Sequence, residues 1–222
     1  MVEKVSVSSQ RENNDCAVHV VNKKLIKRIY TMATTSFKGN TVHLDGTFMA
    51  VGQVAPAVQL VRGDLSPFTL DECKGKYVVM NIFPSIDTGV CATSVRKFNR
   101  LAASLPNTVV LCISRDLPFA QGRFCGAEGI ENVTVLSDFR DACTFGRDYG
   151  VLMTDGPLAS LLARAVVVVA PDGKVCHAQL VPEITTEPDY EAAIKAIFEG
   201  LVISGAAMAF AKVSRPASGV EH

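Results

Sequence analysis

The chain has 222 residues, 48% of them hydrophobic, and its 22 basic and 22 acidic residues give a formal net charge of zero. This length and composition suffice for one domain with a buried core, and the balanced charge argues against a nucleic-acid-binding or membrane-surface protein. Seven cysteines without the spacing of a disulfide framework, in a chain with no recognisable secretory signal, predict a cytoplasmic location. The chain has no Cys-x-x-Cys pair and its four histidines lack metal-ligand spacing, so we expect neither a metal nor a cofactor.

The hydrophobic periodicity predicts strands that alternate with helices. An Asp45-Gly46 pair comes first and predicts a β-hairpin between strands at 41–44 and 48–51. Further strands are predicted at 58–61, 77–83, 108–114, 133–136, 165–170 and 174–181, and helices at 87–105, 117–125, 139–149 and 187–200. The fold expected from this order is α/β, with a central mixed sheet flanked by helices.

The two ends of the chain differ from this pattern. Residues 1–36 are predicted to form an N-terminal extension, either disordered or a leader, and residues 37–201 the folded domain. Residues 202–222 form a C-terminal extension, and the apolar stretch at 201–211 is too short to span a bilayer. We expect that stretch to pack on the domain or on a second copy.

Cys91 occupies the most informative position in the chain. The apolar run at 77–83 ends at Pro84, and a helix is predicted to begin at Asp87 or Thr88, with Cys91 in its first turn. The first-turn amides and the positive end of the helix dipole favour a negative charge, so a reactive thiolate is predicted there. Thr88, three residues earlier, lies on the same helix face, where its hydroxyl can bond either the sulfur or a backbone amide.

This segment resembles a known family. Pro84-Ser-Ile-Asp-Thr-Gly-Val-Cys91 is similar to the Pro-x-x-x-Thr-x-x-Cys motif of peroxiredoxins, and its longer wording resembles the thiol peroxidase subfamily. Further matches in the family's order run from about residue 37 to 201, namely 107–114, 116–121, 123–129, 163–168 and 183–190. The resemblance implies a thioredoxin fold and an atypical 2-Cys peroxiredoxin.

The resemblance also implies a role for individual residues. Cys91 would be the peroxidatic cysteine, and Cys125, in Arg-Phe-Cys-Gly, would be the resolving cysteine that forms a disulfide with it. Thr88 and Arg164 would polarise the peroxide, and Pro84 would shield the sulfur from water. The implied enzyme is a homodimeric peroxidase that reduces hydrogen peroxide and organic hydroperoxides and is recycled by thioredoxin.

Each of these residues has an ordinary structural alternative. A cysteine is usually a small buried hydrophobic residue, Pro84 could simply end a strand, and Thr88 could be only a helix cap. Arg164 without its Ala-Arg-Ala-Val-Val context is an ordinary charge beside a strand. A thioredoxin-fold binding or holdase module without catalysis therefore stands as the alternative function. The single Asp87-Thr-Gly, which is also the signature of aspartic proteases, runs into an amphipathic helix and does not support a protease.

Overall fold

The computed structural model describes residues 32–213, with side chains described as far as residue 202. The expectations for residues 1–31, which include Cys16, and for the residues after 213 lie outside this part of the chain. The strands are β1 (Thr34–Phe37), β2 (Asn40–Asp45), β3 (Gln59–Val61), β4 (Pro67–Thr69), β5 (Tyr77–Ile82), β6 (Thr108–Ser114), β7 (Thr134–Ser137), β8 (Leu152–Met153), β9 (Ala165–Val169) and β10 (Val175–Leu180). The helices are α1 (Gly89–Ala102), α2 (Pro118–Glu128), α3 (Phe145–Asp148) and α4 (Tyr190–Val213), and a 3-10 turn spans Leu70–Cys73.

A seven-stranded mixed sheet forms the centre of the domain. Its strand order is β10-β9-β5-β6-β7-β3-β4, in which β5, β6 and β7 run parallel and the remaining pairs are antiparallel. Every residue of β5 is buried, as expected for a strand covered on both faces. A second, three-stranded sheet joins β1, β2 and β8. The predicted α/β class and mixed central sheet are confirmed.

The two faces of the large sheet are covered differently. On one face, Phe98 of α1 and Ile197 of α4 pack against Val79 and Val168 of the sheet. Phe124 of α2 packs on a neighbouring cluster that contains Cys91. The opposite face is covered mainly by loops and the short α3, and side chains from the sheet's own strands, including β3 and β4, join them in the largest core cluster of the described residues. The three long helices thus lie on the same face as Cys91.

The N-terminal hairpin exists, and the predicted strand 41–44 lies within β2, but the predicted strand 48–51 and the turn at Asp45-Gly46 were wrong. Its strands are β1 and β2, and its turn is Lys38-Gly39, with φ of 52° and 79°. Two successive positive φ values are what a two-residue hairpin turn of type I′ requires. Gly46, whose φ is 95°, serves another purpose, because a Cβ there would lie 2.6 Å from the Arg147 carbonyl oxygen. Because residue 46 has no side chain, the backbone can pack closely against the end of α3. Residues 48–51 form no strand.

The helices also differ in extent from the prediction. The helix predicted at 139–149 shrinks to Phe145–Asp148, and residues 138–144 are not helical. The Asp138 carboxylate accepts the Gly146 amide at 3.3 Å, in the first turn of the short helix. The last helix begins three residues later than predicted and continues beyond residue 201 to Val213. Within the described residues, no helix combines the length and the hydropathy needed to cross a membrane.

Candidate active site

Cys91 lies where the sequence predicted, in the first turn of α1. Thr88 is the N-cap of this helix in extended conformation, and Cys91 is the third helical residue. The Cys91 side chain is 0% exposed and packs with Phe83, Ile86 and Cys112. Strand β5 ends two residues before Pro84, so the short loop 83–88 leads from the end of this strand directly to the helix that carries the thiol. A buried sulfur at a helix start is shielded from solvent while it faces the positive end of the helix dipole.

Thr88 contacts the sulfur directly. Its Oγ1 lies 2.8 Å from Cys91 Sγ and 3.0 Å from the Ser85 carbonyl oxygen. A hydroxyl has one hydrogen, so it donates to the carbonyl while the sulfur is a thiol and can turn to donate to a thiolate. No cap bond from the Thr88 side chain to a backbone amide is found, so the alternative of a simple side-chain cap is not what the structure contains.

Arg164 is brought to the same sulfur from a distant part of the chain. Its Nη2 donates to Cys91 Sγ at 3.2 Å, and its Nε donates to the Ile184 carbonyl oxygen at 2.9 Å. The side chain is only 2% exposed, and its buried Nη1 has no hydrogen-bond partner among the described residues. Burying a guanidinium is unfavourable unless a negative group or several acceptors compensate it. The arrangement therefore favours an anion at Cys91 and leaves one donor for a further acceptor.

A cleft of about 280 Å³ opens beside these groups. Pro84, Thr88 and Arg164 line it on the side of the sulfur, and Pro84 itself is buried. The rest of its wall is largely apolar and comes from several elements, with contributions from Phe37, Val90, Leu158, Leu161 and Ile184. The cleft combines two hydrogen-bonding side chains with an apolar wall, which suits a small polar group that carries an apolar substituent.

Cys125 occupies the last turn of α2 and is half-buried, and both cysteines are free thiols in this structure. Burial raises the pKa of the Cys125 thiol, so this cysteine is held as the neutral form. The preceding residue, Phe124, packs against the cluster that contains Cys91, which places the end of α2 next to the start of α1. The helix ends at Gly129, whose φ of 62° gives a left-handed cap.

The other described cysteines lie in different surroundings. Cys112 is fully buried in β6, where it accepts a long bond from Asn81 Nδ2 at 3.6 Å, and burial raises its pKa to about 12. Burial likewise raises the pKa of Cys73, Cys143 and Cys176. Cys91 alone among the described cysteines receives bonds from both a hydroxyl and a guanidinium. No cluster of three or more metal-ligating side chains occurs among the described residues.

Sequence reasoning missed part of this arrangement. Asp116 accepts hydrogen bonds from Ser85 Oγ and from the Ile86 amide, each at 2.7 Å, and so holds the loop before Cys91. Both Ser85 and Asp116 stand in segments that resemble the family, but nothing in those segments assigned them a role. The carbonyl of Ile184 is a backbone group and leaves no signal in the side-chain pattern.

Comparison with known proteins agrees with this geometry. The Redoxin family profile matches residues 50–194. Thiol peroxidases from Mycobacterium tuberculosis and Corynebacterium glutamicum are each 56% identical over 166 residues, which cover 75% of this chain and 99% of either relative.

Solved structures share the fold. A peroxiredoxin-like protein from Aquifex aeolicus is 44% identical, with a TM-score of 0.72 over 76% of this chain and 98% of its own. A thiol peroxidase from Chromobacterium violaceum is 21% identical, with a TM-score of 0.68 over 79% of this chain and 98% of its own, and supports the fold alone. The predicted thioredoxin fold of the peroxiredoxin type is confirmed. The chain therefore belongs to the Redoxin family, as a thiol-dependent peroxidase of the thiol peroxidase subfamily of peroxiredoxins.

Proposed function

We propose that Cys91 is the peroxidatic cysteine and that Cys125 resolves it in an intramolecular disulfide, which thioredoxin then reduces. The observation that carries this assignment is the pair of hydrogen bonds that converge on Cys91 Sγ, from Thr88 Oγ1 at 2.8 Å and Arg164 Nη2 at 3.2 Å. These donors stabilise a thiolate on a sulfur that is buried from solvent. The substrates proposed are hydrogen peroxide and organic hydroperoxides, and the role is antioxidant.

The first step is attack by the Cys91 thiolate on the nearer oxygen of the peroxide. The S–O bond forms as the O–O bond breaks, the sulfur is oxidised to sulfenic acid, and the departing oxygen takes a proton to leave as water or an alcohol. Negative charge moves from the sulfur to that oxygen during the step. The Thr88 hydroxyl and the unpartnered Nη1 of Arg164 are the donors placed to follow this movement of charge.

The cleft beside Cys91 supports organic hydroperoxides as substrates. Its apolar wall, which includes Leu158, Leu161 and Ile184, would receive an alkyl group while the O–O bond lies between the sulfur and Arg164. Pro84 lines the same cleft, and we propose that it limits the access of water and of a second peroxide to the sulfur. Hydrogen peroxide would bind to the same hydrogen-bond donors without contacting the apolar wall.

The second step joins the two cysteines. The Cys125 thiol attacks the Cys91 sulfenic acid, an S–S bond forms, and the sulfenic oxygen leaves as water. Burial raises the Cys125 pKa, which disfavours the reactive thiolate, and the proposed step therefore includes opening of the last turn of α2. Opening also exposes the resulting disulfide to an external dithiol. Thioredoxin is proposed as that dithiol, since the site needs a reductant that exchanges with a protein disulfide.

We further propose that the enzyme is a cytoplasmic homodimer. Leu117 and Phe119, at the start of α2, are apolar side chains with 51% and 66% exposure, and we propose that a second copy covers them. Six free cysteines among the described residues fit a reducing compartment.

Stopped-flow consumption of peroxide with and without thioredoxin tests the proposal. We expect one rapid oxidation per chain without reductant and sustained turnover with thioredoxin and its reductase. Cumene hydroperoxide and hydrogen peroxide should be compared, because an equal KM for both would remove the proposed role of the apolar wall. A protein whose Cys91 is not oxidised by either peroxide would overturn the assignment.

A further inference from the structure

We infer that Asp116 is a positioning residue that holds the loop before Cys91 closed and so sets the balance between disulfide formation and irreversible over-oxidation. The inference rests on the proposed roles of Cys91 and Cys125. It concerns a carboxylate that touches neither sulfur and acts through the loop 84–88.

The carboxylate of Asp116 accepts three hydrogen bonds. Its Oδ1 accepts from Ser85 Oγ, and its Oδ2 accepts from the Ile86 amide and from Ser114 Oγ, all at 2.7 Å. Hydrogen bonds to an ionised acceptor are about twice as strong as those between neutral groups. The loop before Cys91 is thus fastened to the end of β6 through one partly buried carboxylate.

The contact continues from the loop to the sulfur. Ser85, which donates to Asp116 through its side chain, offers its carbonyl oxygen to Thr88 Oγ1 at 3.0 Å. Thr88 Oγ1 in turn lies 2.8 Å from Cys91 Sγ. A chain of contacts therefore runs from Asp116 through Ser85 and Thr88 to the reactive sulfur. Loss of the carboxylate loosens both the start of α1 and the position of the catalytic hydroxyl.

Asp116 also marks the start of the segment that carries Cys125. It lies two residues before Pro118, the first residue of α2. The beginning of α2 is fixed to the sheet, since buried Gln121 donates to Ser114 Oγ at 3.0 Å and to the Leu136 carbonyl at 2.9 Å. The beginning of α2 therefore stays in place, and the movement needed to join the cysteines falls to the last turn of α2 and to the loop 84–88.

The consequence is a competition between two reactions of the Cys91 sulfenic acid. In one, the Cys125 thiol displaces water to form the disulfide. In the other, a second peroxide oxidises the sulfenic acid to sulfinic acid and leaves as water or an alcohol. The first reaction requires the loop to open, whereas the second proceeds in the closed site. A residue that holds the loop closed therefore slows resolution and favours over-oxidation.

Asp116→Asn tests this role. An amide is uncharged and has a single acceptor oxygen, so the charge-assisted hydrogen bonds to the loop are weakened and the population of the open loop should rise by about tenfold. Reduced protein is mixed with a series of hydrogen peroxide concentrations, and mass spectrometry measures the fraction of Cys91 that becomes sulfinic acid. We expect the peroxide concentration giving half sulfinic acid to rise by about tenfold, while the bimolecular oxidation of Cys91 slows because Thr88 is less fixed. Hydrogen exchange at the Ile86 amide should accelerate in the same variant.

Asp64→Asn is the matched control. Asp64 also accepts a backbone amide and a serine hydroxyl, both from Ser66 at 2.9 and 2.6 Å, but it lies in the turn between β3 and β4 at the far edge of the sheet. It should leave the sulfinic fraction unchanged. Ser85→Ala removes the Oδ1 contact together with the weaker bond that Ser85 Oγ accepts from the Asp87 amide at 3.3 Å, and it decides the question if Asp116→Asn does not fold.

The outcomes separate the two proposals. If wild-type Cys91 forms sulfenic acid and disulfide but the peroxide concentration for half over-oxidation is the same in Asp116→Asn, or in Ser85→Ala, the inference about Asp116 is wrong. If wild-type Cys91 is not oxidised at all, the assignment of Cys91 is wrong and the inference is overturned together with it.

Discussion

The surroundings of Cys91 and of Cys125 differ in how firmly they are held. Cys91 is 0% exposed, and buried or partly buried hydrogen bonds from Thr88 and Arg164 fix its position. Cys125 is half-buried near a helix end, where Arg96 and Glu128 join α1 to α2 through an exposed ion pair with two contacts of 2.8 Å. Exposed ion pairs contribute little to stability, typically ~0–1 kcal/mol. The end of α2, which carries Cys125, is therefore held less firmly than the surroundings of Cys91.

The difference follows from the chemistry proposed for each sulfur. The oxidised sulfur gains from donors fixed in advance, since their reorganisation would otherwise raise the barrier. The resolving sulfur must travel, and a helix end that is capped by glycine opens at low free energy. In the proposed cycle, the rigid site serves the oxidation step and the weak helix end serves the formation of the disulfide.

The largest expected effect is the loss of turnover in Cys91→Ser. A serine hydroxyl does not ionise near neutral pH and does not attack the O–O bond, so peroxidase activity should disappear. A thioredoxin-coupled assay measures it. Cys176→Ser is the control, because Cys176 bonds the Val168 carbonyl and packs against a different core cluster from that of Cys91. Activity retained in Cys91→Ser would show that a residue other than Cys91 reacts with the peroxide.

Cys125→Ser should separate the two steps. We expect one rapid oxidation of Cys91 at the wild-type rate, followed by loss of recycling by thioredoxin and accumulation of sulfenic and then sulfinic acid. Mass spectrometry after a peroxide pulse detects these species, and Cys143→Ser serves as the matched variant of another half-buried cysteine. Normal turnover in Cys125→Ser would mean that another cysteine, such as Cys112 or Cys143, or a second chain resolves Cys91.

Arg164→Lys tests the rigidity of the Cys91 site. A lysine cannot bond the Ile184 carbonyl and the sulfur at once, so the rate of Cys91 oxidation should fall by about tenfold to a hundredfold. Stopped-flow oxidation measures this rate. Arg62→Lys removes a guanidinium that pairs with Glu72 at 2.5 Å and should leave the rate unchanged. An unchanged rate in Arg164→Lys would show that the guanidinium does not stabilise the reacting groups.

Hydrogen exchange measures the motion itself. We expect the disulfide form to exchange faster than the reduced form at residues 86–94 and 122–129, because both helix ends must open for the sulfurs to meet. Strand β9, which is buried throughout, should remain protected in both forms. Equal protection of the two segments in both forms would exclude the local unfolding step.

The smallest effect concerns Glu183, whose carboxylate ties the β1–β2 turn to the loop that positions Arg164. Hydrogen bonds, first of all from the Gly39 amide and then from Thr185 and the Lys38 amide, lower the pKa of Glu183 to about 2. A lowered pKa stabilises the fold above the unfolded value near 4.5 and loses that contribution as the pH falls towards 2. Glu183→Gln should therefore destabilise the protein at pH 7 and less so at pH 3. Urea unfolding at the two pH values measures the difference, and an equal loss at both would rule out the charge as the cause.

Local sequence determined the position of Cys91 at a helix start, because the apolar run, Pro84 and the apolar face of α1 all act over a few residues. The same patterns gave most strands and the order of the fold. They misplaced the hairpin because both Lys38-Gly39 and Asp45-Gly46 can form a turn, and only the packing of Gly46 against Arg147 distinguishes them. They overextended α3, which begins only at Phe145, where the Asp138 carboxylate accepts the Gly146 amide.

The site was decided by contacts between distant parts of the chain. Arg164 and Cys91 are 73 residues apart, and the resemblance to a family suggested their pairing, but the orientation of the guanidinium depends on the Ile184 carbonyl across the cleft. Asp116 reaches Ser85 only because β5 and β6 are parallel neighbours whose ends meet at one edge of the sheet. Periodicity records which face of an element is buried, whereas these bonds depend on how the sheet brings separate loops together.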